Sequence, residues 1–170
     1  MISKETTARL TGLVAASTQY CALAEQCSDY EREEWVKRMV LALPTLYIGI
    51  QSLSLEDVPT LDEGGYLAEY VDEDLYEKVR RSVAALLGED DVYLETFEED
   101  MKYSDTPIAA TISEGIADIF QSVYNYVGVA NDSDGDLLGD AFRELKESFE
   151  SYWSQILCNT LRALNALLRQ

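Results

Sequence analysis

Glu114 and Asp118 stand four residues apart in a run where Ile112, Ile116, Ile119, Val123 and Val127 recur at helical spacing. On a helix that spacing sets both carboxylates on one side. Like charges so placed repel unless a cation or a base lies between them. The pair can therefore hold Mg²⁺ or Mn²⁺ once acids of a neighbouring helix complete the oxygen shell. Asp91 and Glu95 are the acids within sequence reach of that role, so the candidate metal set is Asp91, Glu95, Glu114 and Asp118. The competing reading is a solvated polar face, because acid pairs arise by chance in a chain this acidic. On such a face Asp118→Asn would be neutral or slightly stabilising. No catalytic residue is singled out, and no cofactor is implied beyond that metal.

The stretch Ser113-Glu114-Gly115-Ile116-Ala117-Asp118 resembles half of a magnesium motif. All-α nucleoside-triphosphate pyrophosphohydrolases of the MazG type bind the metal through E-x-x-E followed by E-x-x-D. Glu31 and Glu34, or Glu95 and Glu98, have the first spacing, while Gly115 stands where the second motif places its key Glu. The resemblance implies a divalent-metal-dependent phosphohydrolase using Glu95, Glu114 and Asp118. Asp132, Asp134, Gly135 and Asp136 look like part of a calcium loop. With Gly135 at position six, however, Ala130 and Ala141 fall where the obligatory carboxylates belong, so an acidic connection is the better reading.

What is missing excludes more than what is present implies. The chain has no histidine, which removes Ser-His-Asp and Cys-His catalysis and His-ligated zinc. Cys21, Cys27 and Cys158 have no framework spacing and suit reduced thiols in a cytoplasmic protein. No glycine-rich phosphate loop and no basic aromatic surface appears. Among the aromatic residues, Tyr93, Tyr124, Tyr126, Tyr152 and Trp153 are the ones able to line a pocket, with core packing as the default.

Net charge is −19, and residues 56–100 hold sixteen acids against Lys78, Arg80 and Arg81. That field repels nucleic acid and anionic membranes and favours a basic protein surface. Repulsion among so many carboxylates should raise their folded pKa values on balance, so stability should increase as pH falls from 8 towards 5.

Apolar spacing is helical nearly throughout. Stripes run through Leu10–Cys27, through Val36–Leu53 with Pro44 inside and expected to kink or divide that helix, and through Val79–Leu87 behind an Asp72 cap and before a Gly88 stop. A short acidic helix carrying Val92, Tyr93, Leu94 and Phe97 is expected next. Another helix starts near Ser104, Asp105 and Pro107, and a long last one runs from about Asp136 almost to the end. Residues 54–71, with Pro59, Gly64 and Gly65, read as a loop. The fold expected is all-α: one domain over residues 1–170, an antiparallel bundle of five to seven helices with a long C-terminal helix.

Four stretches together resemble a bacterial family common in gut Bacteroidetes, the domain of unknown function 5063. They are residues 35–47 (WVKRMVLALPTLY), 84–97 (AALLGEDDVYLETF), 112–121 (ISEGIADIFQ) and the region from Trp153 to Leu164. The resemblance implies a compact all-helical bacterial domain and brings no established activity. From the residues themselves, the favoured function is a non-enzymatic cytoplasmic protein that binds a basic protein surface, without direct nucleic-acid or membrane binding. The alternatives are the metal-dependent phosphohydrolase and a DNA-mimic inhibitor of a nucleic-acid-binding protein, whose spaced carboxylates imitate phosphates.

Overall fold

The computed structural model describes residues 2–61, 66–95, 102–103 and 106–170. Expectations resting on Gly64, Gly65, Phe97, Glu98, Ser104 and Asp105 lie outside these residues. The helices are α1 (Lys4–Glu25), α2 (Arg32–Gln51), α3 (Glu73–Leu87), α4 (Ile112–Asp132), α5 (Leu138–Ser148) and α6 (Ser154–Leu168). A π-helical segment, Phe149–Trp153, joins α5 to α6 without a break, so the chain ends in one helix of 31 residues.

The all-α bundle is therefore the architecture, with α4 at its centre. α4 packs against α1, α3, α5 and α6, and its face Ile112, Ile116, Ile119, Phe120 and Val123 is fully buried. The caps follow elementary chemistry. Ser3 accepts from the Thr6 amide, Asp72 from Leu75, and Thr111 from Glu114. At the other pole the buried Lys146 ammonium donates to the Ile50 and Leu53 carbonyls, where the last turn of α2 runs out of partners.

Three local expectations need correction. Pro44 does not divide α2, which is continuous from Arg32 to Gln51. The region after Gly88 is not a short helix. A 3₁₀ turn over Gly88–Asp91 leads into β1 (Val92–Leu94), which pairs antiparallel with β2 (Ala109–Thr111), Tyr93 opposite Ala110. Helix α4 begins at Ile112 rather than near Pro107, because Thr111 caps it and Asp91 seals its first turn. Asp91 is 6% exposed and accepts from both the Ser113 amide (2.7 Å) and the Ser113 hydroxyl (2.6 Å).

Gly115 is where α6 comes closest to α4. A Cβ there would lie 2.2 Å from Thr160 Oγ1 and 3.5 Å from Ile156 Cγ2. This explains physically why no Glu stands at this position, since there is no room for any side chain. Gly→Ala in a helix interior normally stabilises by roughly 0.5–1 kcal/mol. Here Gly115→Ala is expected to destabilise by about 1–3 kcal/mol through overpacking. Thr160→Ala should recover most of that loss, measured as coupling in a double-mutant denaturation cycle.

Candidate functional site: an acidic groove along α4

Asp118, Ser122 and Asn125 follow one another at i, i+4 and i+7 on α4, and so share a face. Antiparallel to them runs a second file, Glu144, Ser148 and Tyr152, on α5 and the π-helical segment. The segment after residue 65 forms a strap along the same groove. The Tyr70 and Val71 amides donate to Asn125 Oδ1 (2.7 and 3.2 Å), and the Tyr70 hydroxyl donates to Asp132 (2.5 Å). The Tyr70 ring lies over Gly128, where a Cβ would come within 2.4 Å of it.

At one end of the groove sits Asp118. Its Oδ1 accepts from the Tyr76 hydroxyl of α3 (2.6 Å) and its Oδ2 from the Tyr152 hydroxyl (3.2 Å). Partial burial, together with the Asp118 bond and charge, drives the Tyr76 phenol well above its usual 10.0. Glu114, one turn away, is exposed and takes a bond from the Thr111 hydroxyl.

At the other end is a cavity of about 180 Å³ whose lining includes Glu69, Gln121, Ser122, Tyr126, Glu144 and Ser148. Tyr126 is 2% exposed, and its buried hydroxyl has no hydrogen-bond partner among the described residues. Partial burial, then the neighbouring Glu69 and Glu147 carboxylates, raise the Glu144 pKa. Repulsion of the kind expected from composition is thus realised here. Elsewhere ion pairing prevails, since Lys37 holds Glu33 low and Arg80 holds Glu77 low.

The four carboxylates proposed as metal ligands are sent to different partners. Asp91 is sealed in the start of α4. Glu95 accepts from Tyr93 (3.0 Å) and from the Asn159 amide (2.5 Å) on α6. Glu114 and Asp118 share a face of α4, as their spacing required. Among the described residues, no three acids or thiols gather into a group that could hold a metal. Positions near one another in sequence take different donors because β1 leads Glu95 to Asn159 of α6 while Asp91 stays at the start of α4. Cys21 and Cys27 are buried free thiols, and Cys158 is exposed.

Sequence reasoning missed Tyr76, Glu69 and Glu144. The signal for Glu144 was present in its i, i+4, i+8 alignment with Ser148 and Tyr152. Nothing in the chain marks Tyr76, whose role depends on how α3 docks on α4.

The model of the DUF5063 family, a domain of unknown function, matches residues 4–170. The fold is similar to the crystal structure of protein BF1032 from Bacteroides fragilis, at a TM-score of 0.77 and 26% identity, over 94% of this chain and 91% of that one. No curated protein matches the chain. The chain belongs to the DUF5063 family.

Two outcomes test this geometry. Asp118→Asn is expected to destabilise by about 1 kcal/mol, because an amide accepts more weakly than a carboxylate from two phenols. It should also bring the Tyr76 phenol back towards 10.0, read by tyrosinate absorbance in an alkaline titration. A folded phenol pKa above the unfolded one gives stability that is complete below pH 10 and is lost as pH rises through the folded value. The variant should therefore lose less stability in that alkaline window. Mn²⁺ is expected to raise the melting temperature no more than NaCl of equal ionic strength, since a bound ion would add a linkage term beyond screening. A manganese-specific increment that disappears in Asp118→Asn would reinstate the metal reading.

Proposed function

We propose that this DUF5063 protein is a non-enzymatic binding module whose α4 groove receives a basic segment of a partner protein. The observation that carries the reading is the kind of donor holding the groove's acids. Asp118 is held by two phenols, Asp132 by the Tyr70 phenol, and Glu144 lies among other carboxylates. Neutral donors fix a carboxylate without cancelling its charge. By contrast, Glu5, Glu33, Glu34 and Glu77 are each neutralised by a base of their own helix. The groove thus presents uncancelled charge in fixed positions, which is what electrostatic recognition of lysine or arginine needs.

The two acidic ends lie about two helical turns apart, on the order of 10 Å at 1.5 Å per residue. A polyproline II chain covers that in three residues at about 3.1 Å each and, at three residues per turn, brings its side chain back to the same side. The matching ligand carries basic side chains at i and i+3. Buried free thiols at Cys21 and Cys27 fit a cytoplasmic setting. Among the described residues no helix is long and apolar enough to cross a membrane.

The test is calorimetric titration with a short extended peptide carrying Lys-x-x-Lys, with its lysine-acetylated form as control. Binding is expected for the charged peptide only, weakening steeply with added salt. The pair Glu69→Gln and Glu144→Gln should weaken it about tenfold, roughly 1.4 kcal/mol. The same pair should raise the melting temperature at pH 7, because the Glu144 carboxylate is held ionised there against a raised pKa. That gain should vanish as pH falls below the ordinary carboxylate value, where the group is protonated folded or unfolded. Equal affinity in wild type and the double variant would sink the groove as the binding site.

A further inference from the structure

The opposite side of the molecule has a different chemistry. Residues 1–51 carry five bases, Lys4, Arg9, Arg32, Lys37 and Arg38, against six acids. The remaining residues carry eight bases against twenty-six acids. Within the α1–α2 hairpin, Leu10–Ala24 and Met39–Gln51 contain no charged residue at all. These stretches are not wholly buried. Thr11, Ala15, Thr18, Gln19 and Ala22 of α1 are exposed, and so is Thr45 of α2. Leu41 is 73% and Ile48 66% exposed, at i and i+7 on one edge of α2. Between the helices runs an open groove of about 490 Å³, walled by Gln19, Ala22, Leu41 and Thr45 with Arg38 at one end. A helix uncharged on its inner and outer faces alike is normally covered on both.

We infer that the α1–α2 face is a docking surface for a second copy of this chain. Charge decides between occupants. A basic partner gains nothing on an uncharged face while an acidic groove is open elsewhere. An isologous pair, however, sets one patch against itself, so any net charge in the patch meets its own sign. A chain of net charge −19 can self-associate only through a face that carries almost none of it. Here the charges that do flank the face, Glu33 with Lys37 and Glu34 with Arg38, alternate in sign. Small side chains on α1 let a facing helix approach closely, and Leu41 has a groove of the other copy to enter. The uncharged stretch of α1, fifteen residues, is about 22 Å long and two packed helices are about 20 Å wide, giving on the order of 450 Å² per copy, the size of a weak, concentration-dependent contact.

Sedimentation equilibrium across the micromolar range tests this. Average mass is expected to rise with concentration from 19.1 kDa towards twice that value. Added NaCl should strengthen the dimer, because an apolar contact forms against the repulsion of charge located elsewhere, and salt screens that repulsion. The double substitution Leu41→Glu, Ile48→Glu should shift the dimer dissociation constant upward by tenfold or more while the helical circular dichroism stays unchanged. Leu41→Ser should give a smaller shift in the same direction. A wild-type protein that stays monomeric throughout overturns the inference. So does a dimer indifferent to both substitutions, or one dissolved by salt, since that would be held by charge on another face. Peptide binding in the α4 groove weakens with salt, so the two proposals fail separately.

Discussion

The first two turns of α4 are the point where the other elements take their register. Three unlike interactions meet there within four residues. The Asp91 carboxylate seals the start of the helix on Ser113, the absent side chain of Gly115 lets α6 in, and the Tyr20 hydroxyl of α1 donates to the Ile116 carbonyl at 2.8 Å. The two hydrogen-bonded ones are buried and carry the desolvation cost of an unpaired polar group if they slip, while the Gly115 contact is fixed by sterics. α1, α6 and the turn before β1 are thereby positioned against one short stretch of backbone. The groove on the far side of α4 inherits that precision. Asp118 lies half a turn beyond Ile116, and its phenol partners reach it from α3 and from the π-helical segment only while those elements keep their places.

The π-helical segment has a visible packing reason. Phe149 stacks edge-on with Trp153 at 4.8 Å and with Tyr47 of α2 at 5.2 Å, and the Trp153 indole donates to Ser148. The wider turn lets two large rings enter the core from consecutive turns while Tyr152, between them, still faces outward to Asp118. The core aromatics and the groove's phenol are thus consequences of one local change in helical winding.

The helices were legible because long apolar stripes repeat, and the Asp72 cap and the Gly88 stop were legible because single residue types dominate those positions. The β1–β2 pair was not. Strands of three residues contain less than two periods of alternation, and their partners lie far apart in the chain, so no local pattern announces them. Asp91 and Glu95 were read as candidate metal ligands, and the structure gives each of them hydrogen-bond donors within the protein. Spacing tells which side of an element a carboxylate occupies, not which donor waits there. For Asp91 the donor is the end of α4, and for Glu95 it is Asn159, sixty-four residues away. At Pro44 the helix is not divided despite one missing backbone donor, with Leu43 and Leu46 buried on either side of it.

The groove's use of phenols determines what it can hold. A phenol occupies one lone pair of each Asp118 oxygen and leaves the others open to a further donor. A small divalent ion asks for several oxygens converging on one point, and the two acidic ends of the groove stand about two turns apart. Ammonium and guanidinium groups ask for single acceptors at fixed separations, which the files supply. A neutral donor also has an energetic consequence that an arginine would avoid. Charge not cancelled within the chain remains as repulsion in the free protein, and at Glu144 it adds to partial burial in raising the pKa. Under the proposed function a bound cationic group would relieve that repulsion, and part of the affinity would come from the unliganded groove itself. The uncharged α1–α2 face fits the same balance as the proposed contact between copies, because a strongly negative protein meets its own copy most easily where that field is absent.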